Sequence, residues 1–265
     1  MLDSIIIKGG QDKDGHPERV PHLSIAPGDI YTIVGYTGSG KTQLVQDIEQ
    51  LANRDTVSQR QVLINGQPFS SRKYDRYSKK LVAHLSQNMN FVLDIEVAEF
   101  IRLHASCRGF SDPTKQTEEV IACANTLSGE EIRPNEHLTR LSGGQSRSLM
   151  IADVAINGDS PIVLIDEVEN AGINRLKALE ILSSRQKIIL VVTHDPLLAL
   201  YGEKRIIMNR GGMSKILETT KEEKNLYLLL EEQARQQDYL QQKLRLGKEL
   251  ELGMMKRKID WRMAK

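Results

Sequence analysis

Gly35, Gly38, Gly40, Lys41 and Thr42 fall in the pattern G-x-x-x-x-G-K-T. That pattern does phosphate chemistry. Glycines let successive backbone N–H groups turn inward around phosphate oxygens, and a following helix N-terminus adds partial positive charge. Gly35, Thr37, Gly38, Ser39, Gly40, Lys41 and Thr42 are therefore read as contacts to a nucleoside triphosphate such as ATP. Lys41 reaches the β- and γ-phosphates, and the Thr42 hydroxyl holds Mg²⁺. Two carboxylates, Asp166 and Glu167, end the run Pro161-Ile-Val-Leu-Ile. Asp166 suits the Mg²⁺ shell, and Glu167 suits a general base that polarises an attacking water. His194 follows Lys187-Ile-Ile-Leu-Val-Val-Thr193 and completes the set as a γ-phosphate contact.

The elements that must position these groups are legible around them. Asp29–Val34 is a β-rich apolar run after the turn Pro27-Gly28, and Leu44, Val45, Ile48 and Leu51 recur at helical spacing after Thr42. Strand, glycine-rich loop and helix is the order in which this loop works. The run before Asp166 is apolar without alternation, as expected of a strand buried on both faces of a parallel sheet. Three such strands deliver Lys41, Asp166 with Glu167, and His194 to the carboxyl edge of one sheet, where α/β folds bind ligands.

Leu141-Ser142-Gly143-Gly144-Gln145 lies downstream of the loop. With this motif the chain resembles the ATP-binding cassette (ABC) family of ATPases over roughly residues 1–218. The resemblance implies an α/β P-loop NTPase of ABC type, with a mainly parallel sheet core and an inserted helical subdomain. That insertion is expected over 88–139, with Ile95–Arg108 and Thr117–Leu127 as helices. Gln87 is similar to the glutamine that senses Mg²⁺ and the attacking water, and His194 to the switch histidine. Ser142, Gly143, Gly144 and Gln145 would bind ATP, with Ser142 and Gly144 on the γ-phosphate held by a partner's phosphate loop. Ser142-Gly143-Gly144 opens a helical run through Ile156, so its hydroxyl and amides form an anion site. It has no lysine of its own and suits completing a site whose charge comes from elsewhere. Two chains head to tail, as a homodimer or a heterodimer, would then enclose two ATPs. The implied function is the ATP-binding subunit of a transporter with separate membrane subunits. The alternative is a soluble ATPase that remodels or matures a protein complex.

The chain departs from the family pattern in places. Family members place an aromatic ring ahead of the loop to stack on adenine, yet no Phe, Tyr or Trp precedes Tyr31. His16 stands in that segment and is read as a solvated residue. After Glu167 the family has proline and a loop ending in aspartate. Here Val168-Glu169-Asn170-Ala171-Gly172-Ile173-Asn174 puts Ile173 or Asn174 at the aspartate position.

The 265 residues and formal net charge of +1 give no global signal for nucleic acid. Cys107 and Cys123 lie outside any metal-binding spacing and read as small apolar residues. No signal peptide and no apolar run near 20 residues is seen, so the expectation is a cytoplasmic protein, peripheral at the inner membrane face if it serves a transporter. Residues 219–265 change character. Lys221–Leu246 holds no Gly or Pro and reads as a long helix, with Gln233 and Gln237 interrupting the stripe Leu226, Leu230, Leu240 and Leu244. Gly247 breaks it, and a second helix to Met263 is expected before a basic end. This C-terminal helical extension carries none of the site residues.

Overall fold

The computed structural model describes residues 2–69, 80–86, 89–166 and 173–250. Gln87 and Glu167, both expected in the site, lie outside the described residues. The chain divides into two compact units, Met1–Glu218 and Thr219–Lys265.

Unit one is built on a six-stranded sheet. Its strands are β3 (Ile30–Val34), β6 (Val82–Leu85), β7 (Ile162–Asp166), β8 (Ile188–Val192), β9 (Lys204–Asn209) and β10 (Gly212–Glu218), in the order β10-β9-β3-β8-β7-β6. All neighbours run parallel except β9 with β10. Ile188 to Val192 are buried without exception, and in β7 only the last residue, Asp166, is part-exposed. A continuous apolar run rich in β-branched residues is what a strand covered on both faces requires. Ile33, Val192 and Asp166 are aligned across β3, β8 and β7. The carboxyl ends of three strands thus share one edge. Helix α1 (Lys41–Glu49) follows β3 and buries Leu44, Val45 and Ile48.

A second sheet, antiparallel and of four strands, was not foreseen from the sequence. It joins β1 (Ile5–Lys8), β2 (His22–Ile25), β4 (Gln61–Ile64) and β5 (Gln67–Pro68) in the order β2-β1-β4-β5. Its signals were present: alternate burial along His22–Ile25, and the turn Asn65-Gly66 with φ of 50° and 76°. Two positive φ values are the requirement of the tight hairpin turn that asparagine-glycine satisfies. Ile5, Ile7 and Ile25 share one core with Tyr31, Ile33 and Leu44, so this sheet packs against the elements that carry the loop.

Between β6 and β7 the chain forms α2 (Val97–Cys107), α3 (Pro113–Leu127) and α4 (Gly143–Ile156) around a separate core that includes Val97, Ile101, Val120, Ala124 and Leu149. α3 begins four residues before the expected Thr117. Asp112 accepts from Lys115 N at 3.0 Å, and Pro113 occupies the first turn, a strong start that apolar spacing alone does not reveal. α2 is shorter than Ile95–Arg108. Ile95 instead lies ahead of the helix and accepts from Leu138 N, Glu96 is the N-cap, and Arg108 is the C-cap. Cys107 ends α2 exposed and is not a packed apolar residue, whereas Cys123 is part-buried and its burial pushes the thiol up.

Unit two contains α7, which follows α5 (Arg175–Ser183) and α6 (Pro196–Tyr201) and runs Lys221–Arg245. Thr220 and Glu223 cap it reciprocally, and Gly247 with φ of 66° lies just past its end. The helix expected to end at Met263 lies outside the described residues beyond Leu250. Among the described residues no helix is long and apolar enough to cross a membrane.

Candidate active site

The loop between β3 and α1 is closed in on itself. A Cβ on Gly35 would lie 2.5 Å from Ser39 Oγ and 2.6 Å from Met208 O. Gly38 and Gly40 hold φ of 76° and 98°, a region that favours glycine. Gly40 is the N-cap of α1 and offers no side chain to its first amides, which leaves them for an anion. Lys41 is buried, and its Nζ donates to Gly35 O at 2.9 Å and Tyr36 O at 3.3 Å, which folds the ammonium back over the loop. Ser39 Oγ is buried without a hydrogen-bond partner among the described residues. Buried hydroxyls are normally satisfied, and a phosphate oxygen would do so here. These residues fit a polyphosphate.

The other groups arrive as the strand register dictates. His194 lies two residues past the end of β8, and it shares a cleft of about 570 Å³ with Gly35, Tyr36, Thr37, Met208 and Asn209. Its flanks are fixed. Asp195 caps α6 by accepting from Leu197 N at 2.8 Å, its own N–H donates to Thr193 Oγ1 at 3.0 Å, and its carboxylate pairs with Arg175. Arg175 begins α5, so the ion pair ties the start of that helix to the turn that carries His194. Sequence reasoning missed Arg175, since nothing in its spacing marks it. Thr42 is exposed in the first turn of α1, and Asp166 ends β7. A hydroxyl and a carboxylate are the hard oxygen donors that Mg²⁺ prefers.

A second cleft of about 310 Å³ opens on the other flank of the loop, lined by Lys13, Asp14, Tyr36, Gly38, Asn209 and Arg210 among others. Lys13 Nζ donates to Gly38 O at 2.8 Å, and Arg210 lies 3.3 Å from Asp14. None of these side chains was read from the sequence, because they meet only through the β9–β10 turn. His16 is exposed and lines neither cleft; its backbone N–H is the main reason the Asp12 carboxyl stays below the usual range.

Ser142 is exposed at the start of α4. Its Oγ accepts from Gln145 N at 3.3 Å, and Gln145 Oε1 accepts from Ser142 N at 2.8 Å, a reciprocal cap. Gln145 is buried and also donates to Glu131 O at 2.8 Å, which fixes the cap to the helical lobe. Gly143 is open to solvent-side space, with nothing within 4 Å of a Cβ placed on it. No described residue of Leu141–Gln145 lines either cleft at the phosphate loop.

Comparison with known proteins agrees with this geometry. The sequence profile of the ABC transporter family matches residues 19–170. An uncharacterized ABC transporter ATP-binding protein of Methanocaldococcus jannaschii is 51% identical over 251 residues, covering 94% of this chain and 95% of the relative. A macrolide export ATP-binding/permease protein of Campylobacter jejuni is 30% identical over 212 residues, or 76% of this chain and only 31% of that protein. Among solved structures, a dimeric post-hydrolysis ATP-binding cassette bound to ADP and Pi matches with a TM-score of 0.59 at 21% identity, covering 82% of this chain and 99% of the other. The ATP-binding subunit of an ABC transporter matches at 0.62 and 18% identity, with 82% and 90% covered. At those identities the structures establish the shared fold.

Proposed function

The chain belongs to the ABC transporter family as an ATP-hydrolysing cassette, and from that premise we propose that it acts as the ATP-binding subunit of a transporter whose membrane-spanning subunits are separate chains. The observation that carries the mechanism is the separation of two half-sites. The cationic loop around Lys41 and the uncharged cap at Ser142 each offer anion contacts, and no described residue of the second reaches the clefts of the first. A second cassette placed head to tail would bring Ser142 and Gly144 to the γ-phosphate held by Lys41. The solved dimeric cassette supports such an assembly.

Within each composite site, Lys41 and the loop amides hold the phosphates, while Ser39 Oγ gains the partner it lacks. Thr42, Asp166 and Gln87 would hold Mg²⁺, which when bound neutralises phosphate charge. Glu167 takes the proton from the attacking water, and His194 contacts the γ-phosphate. Transport is supported by the names of the relatives, one of which joins its cassette to a permease in one chain. Such a subunit would work in the cytoplasm against the inner membrane face.

Glu167→Gln tests this reading. With ATP·Mg²⁺ it should form a stable dimer by light scattering, and Ser142→Arg in the same background should abolish it. Tagged Glu167→Gln should also retain a polytopic membrane protein from detergent extracts under ATP. A Glu167→Gln protein that stays monomeric in saturating ATP and retains no membrane protein contradicts both halves of the proposal.

A further inference from the structure

We propose that Arg60 is a positioning residue for ATP turnover, fixing from behind the peptide on which the phosphate loop rests. The inference depends on nucleotide binding at Gly35–Thr42.

Arg60 precedes β4 and is wholly buried. Its Nη1 donates to Asp47 Oδ2 at 2.7 Å, and its Nη2 donates to Glu18 Oε1 at 2.6 Å and to Gly211 O at 2.7 Å. Both carboxylates are buried too. They are anchored further, Asp47 by the Ser58 hydroxyl at 2.7 Å and Glu18 by Gly10 N at 2.9 Å. A buried ion set of this kind is a weak source of stability, since apolar residues of similar volume often serve the fold as well. What apolar residues cannot supply is direction. The planar fork of arginine binds several acceptors at fixed angles.

The acceptors are the telling part. Asp47 lies on α1, the helix that Lys41 opens. Gly211 lies in the β9–β10 turn, and its N–H donates to Ser39 O at 2.8 Å. Arg60 is thus two hydrogen bonds from the loop: guanidinium to Gly211 carbonyl, Gly211 amide to Ser39 carbonyl. Gly40 closes against the same peptide, since a Cβ on it would meet Gly211 Cα at 2.6 Å. One side chain therefore holds both the helix that Lys41 opens and the turn that backs Ser39 and Gly40.

Arg60→Met alone leaves two buried carboxylates uncompensated and is at risk of not folding. The decisive variant is Glu18→Gln/Asp47→Asn/Arg60→Met, which removes every charge of the set. Arg60→Lys is the companion that keeps a cation but loses the fork. Each is checked for wild-type circular dichroism, then assayed for KM and kcat on the folded protein. The expected result is a fall in kcat/KM on the order of 10²-fold in the uncharged variant, as for displaced catalytic geometry, with a raised KM for ATP and a smaller loss in Arg60→Lys. A purely structural role would lower the melting temperature and leave KM unchanged. Wild-type KM and kcat/KM in whichever of these variants folds overturns the proposal. Lys41→Ala is run in parallel. If it keeps wild-type ATP binding, the nucleotide site itself is misplaced; if it loses binding while the Arg60 variants behave as wild type, only the positioning role fails.

Discussion

Gly40 and Gly211 approach so closely that a Cβ on Gly40 would lie 2.6 Å from the Gly211 Cα. The phosphate loop is therefore backed by main chain from a hairpin about 170 residues later in the sequence, not only by its own flanking strand and helix.

Gly40→Ala should be among the most damaging small substitutions in the protein. Its φ of 98° already disfavours alanine, at a cost of roughly 1–3 kcal/mol for a strained backbone, and the added methyl displaces the Gly211 turn. Urea unfolding should show lowered stability, and titration with a fluorescent ATP analogue should show binding lost. Wild-type affinity in Gly40→Ala would mean that the close approach has no bearing on the nucleotide.

Base selectivity should be relaxed. Aromatic stacking contributes about 1–3 kcal/mol per base in other nucleotide sites, yet the cleft beside Gly38 is lined by Lys13, Asp14, Asn209 and Arg210, with Tyr36 as its one described ring. GTP should compete with ATP in turnover assays within about tenfold, the equivalent of ~1.4 kcal/mol. A preference for ATP above a hundredfold would show that a ring, Tyr36 or His16, supplies the platform after all.

Lys187 gives a pH dependence of defined sign. Burial pushes its ammonium below the ordinary 10.5, while Nζ donates to Gly158 O and Ser160 O at 2.7 and 2.9 Å. In the window between the lowered value and 10.5 the unfolded chain binds more protons than the folded one. Stability from this group therefore rises with pH across that window. The unfolding free energy of wild type minus that of Lys187→Met should therefore rise toward pH 10. A signed difference that falls as pH rises would refute the assignment.

Removing Lys221–Lys265 should leave ATP binding near wild type, because every site residue precedes Glu218 and unit two is compact by itself. Partner binding or oligomeric state should change instead. A cut after Gly247 spares α7 and tests the basic end alone. Loss of ATP binding in that shorter truncation, in a protein folded by circular dichroism, would place the extension in the chemistry.

The phosphate loop, the buried strands before Asp166 and His194, and the helix behind Ser142 were all legible, because each depends on local pattern: glycine spacing, unbroken apolar runs, a serine-led cap. Less visible was anything made by distant segments meeting. Arg60 reads as one more charged residue in a polar stretch, and only the fold reveals that Glu18, Asp47 and Gly211 converge on it. The antiparallel sheet escaped for a different reason. Its strands have four residues or fewer, and the Asn65-Gly66 turn joins them to a strand, β5, of only two. Arg175 was hidden likewise, since its partner Asp195 lies across the sheet edge and not along the chain.

The helical lobe leaves the sheet at β6 and returns at β7, and these strands are immediate neighbours, with Leu85 opposite Ile165. The consequence concerns the order of folding. The pairing is held at its mouth by Ser160 Oγ donating to Lys80 O across 80 residues of chain. A loop of that length is slow to close while the intervening chain is unstructured. The lobe owns a core, around Ile101, Val120 and Leu149, that needs nothing from the strands. Collapse of that core would draw β6 and β7 toward each other before they pair. In a φ-value series, truncations at Ile101 and Val120 should therefore score higher than truncations at Val163. The lobe would then be the clasp on which the catalytic edge is assembled, and through Glu131 it also holds the cap at Ser142.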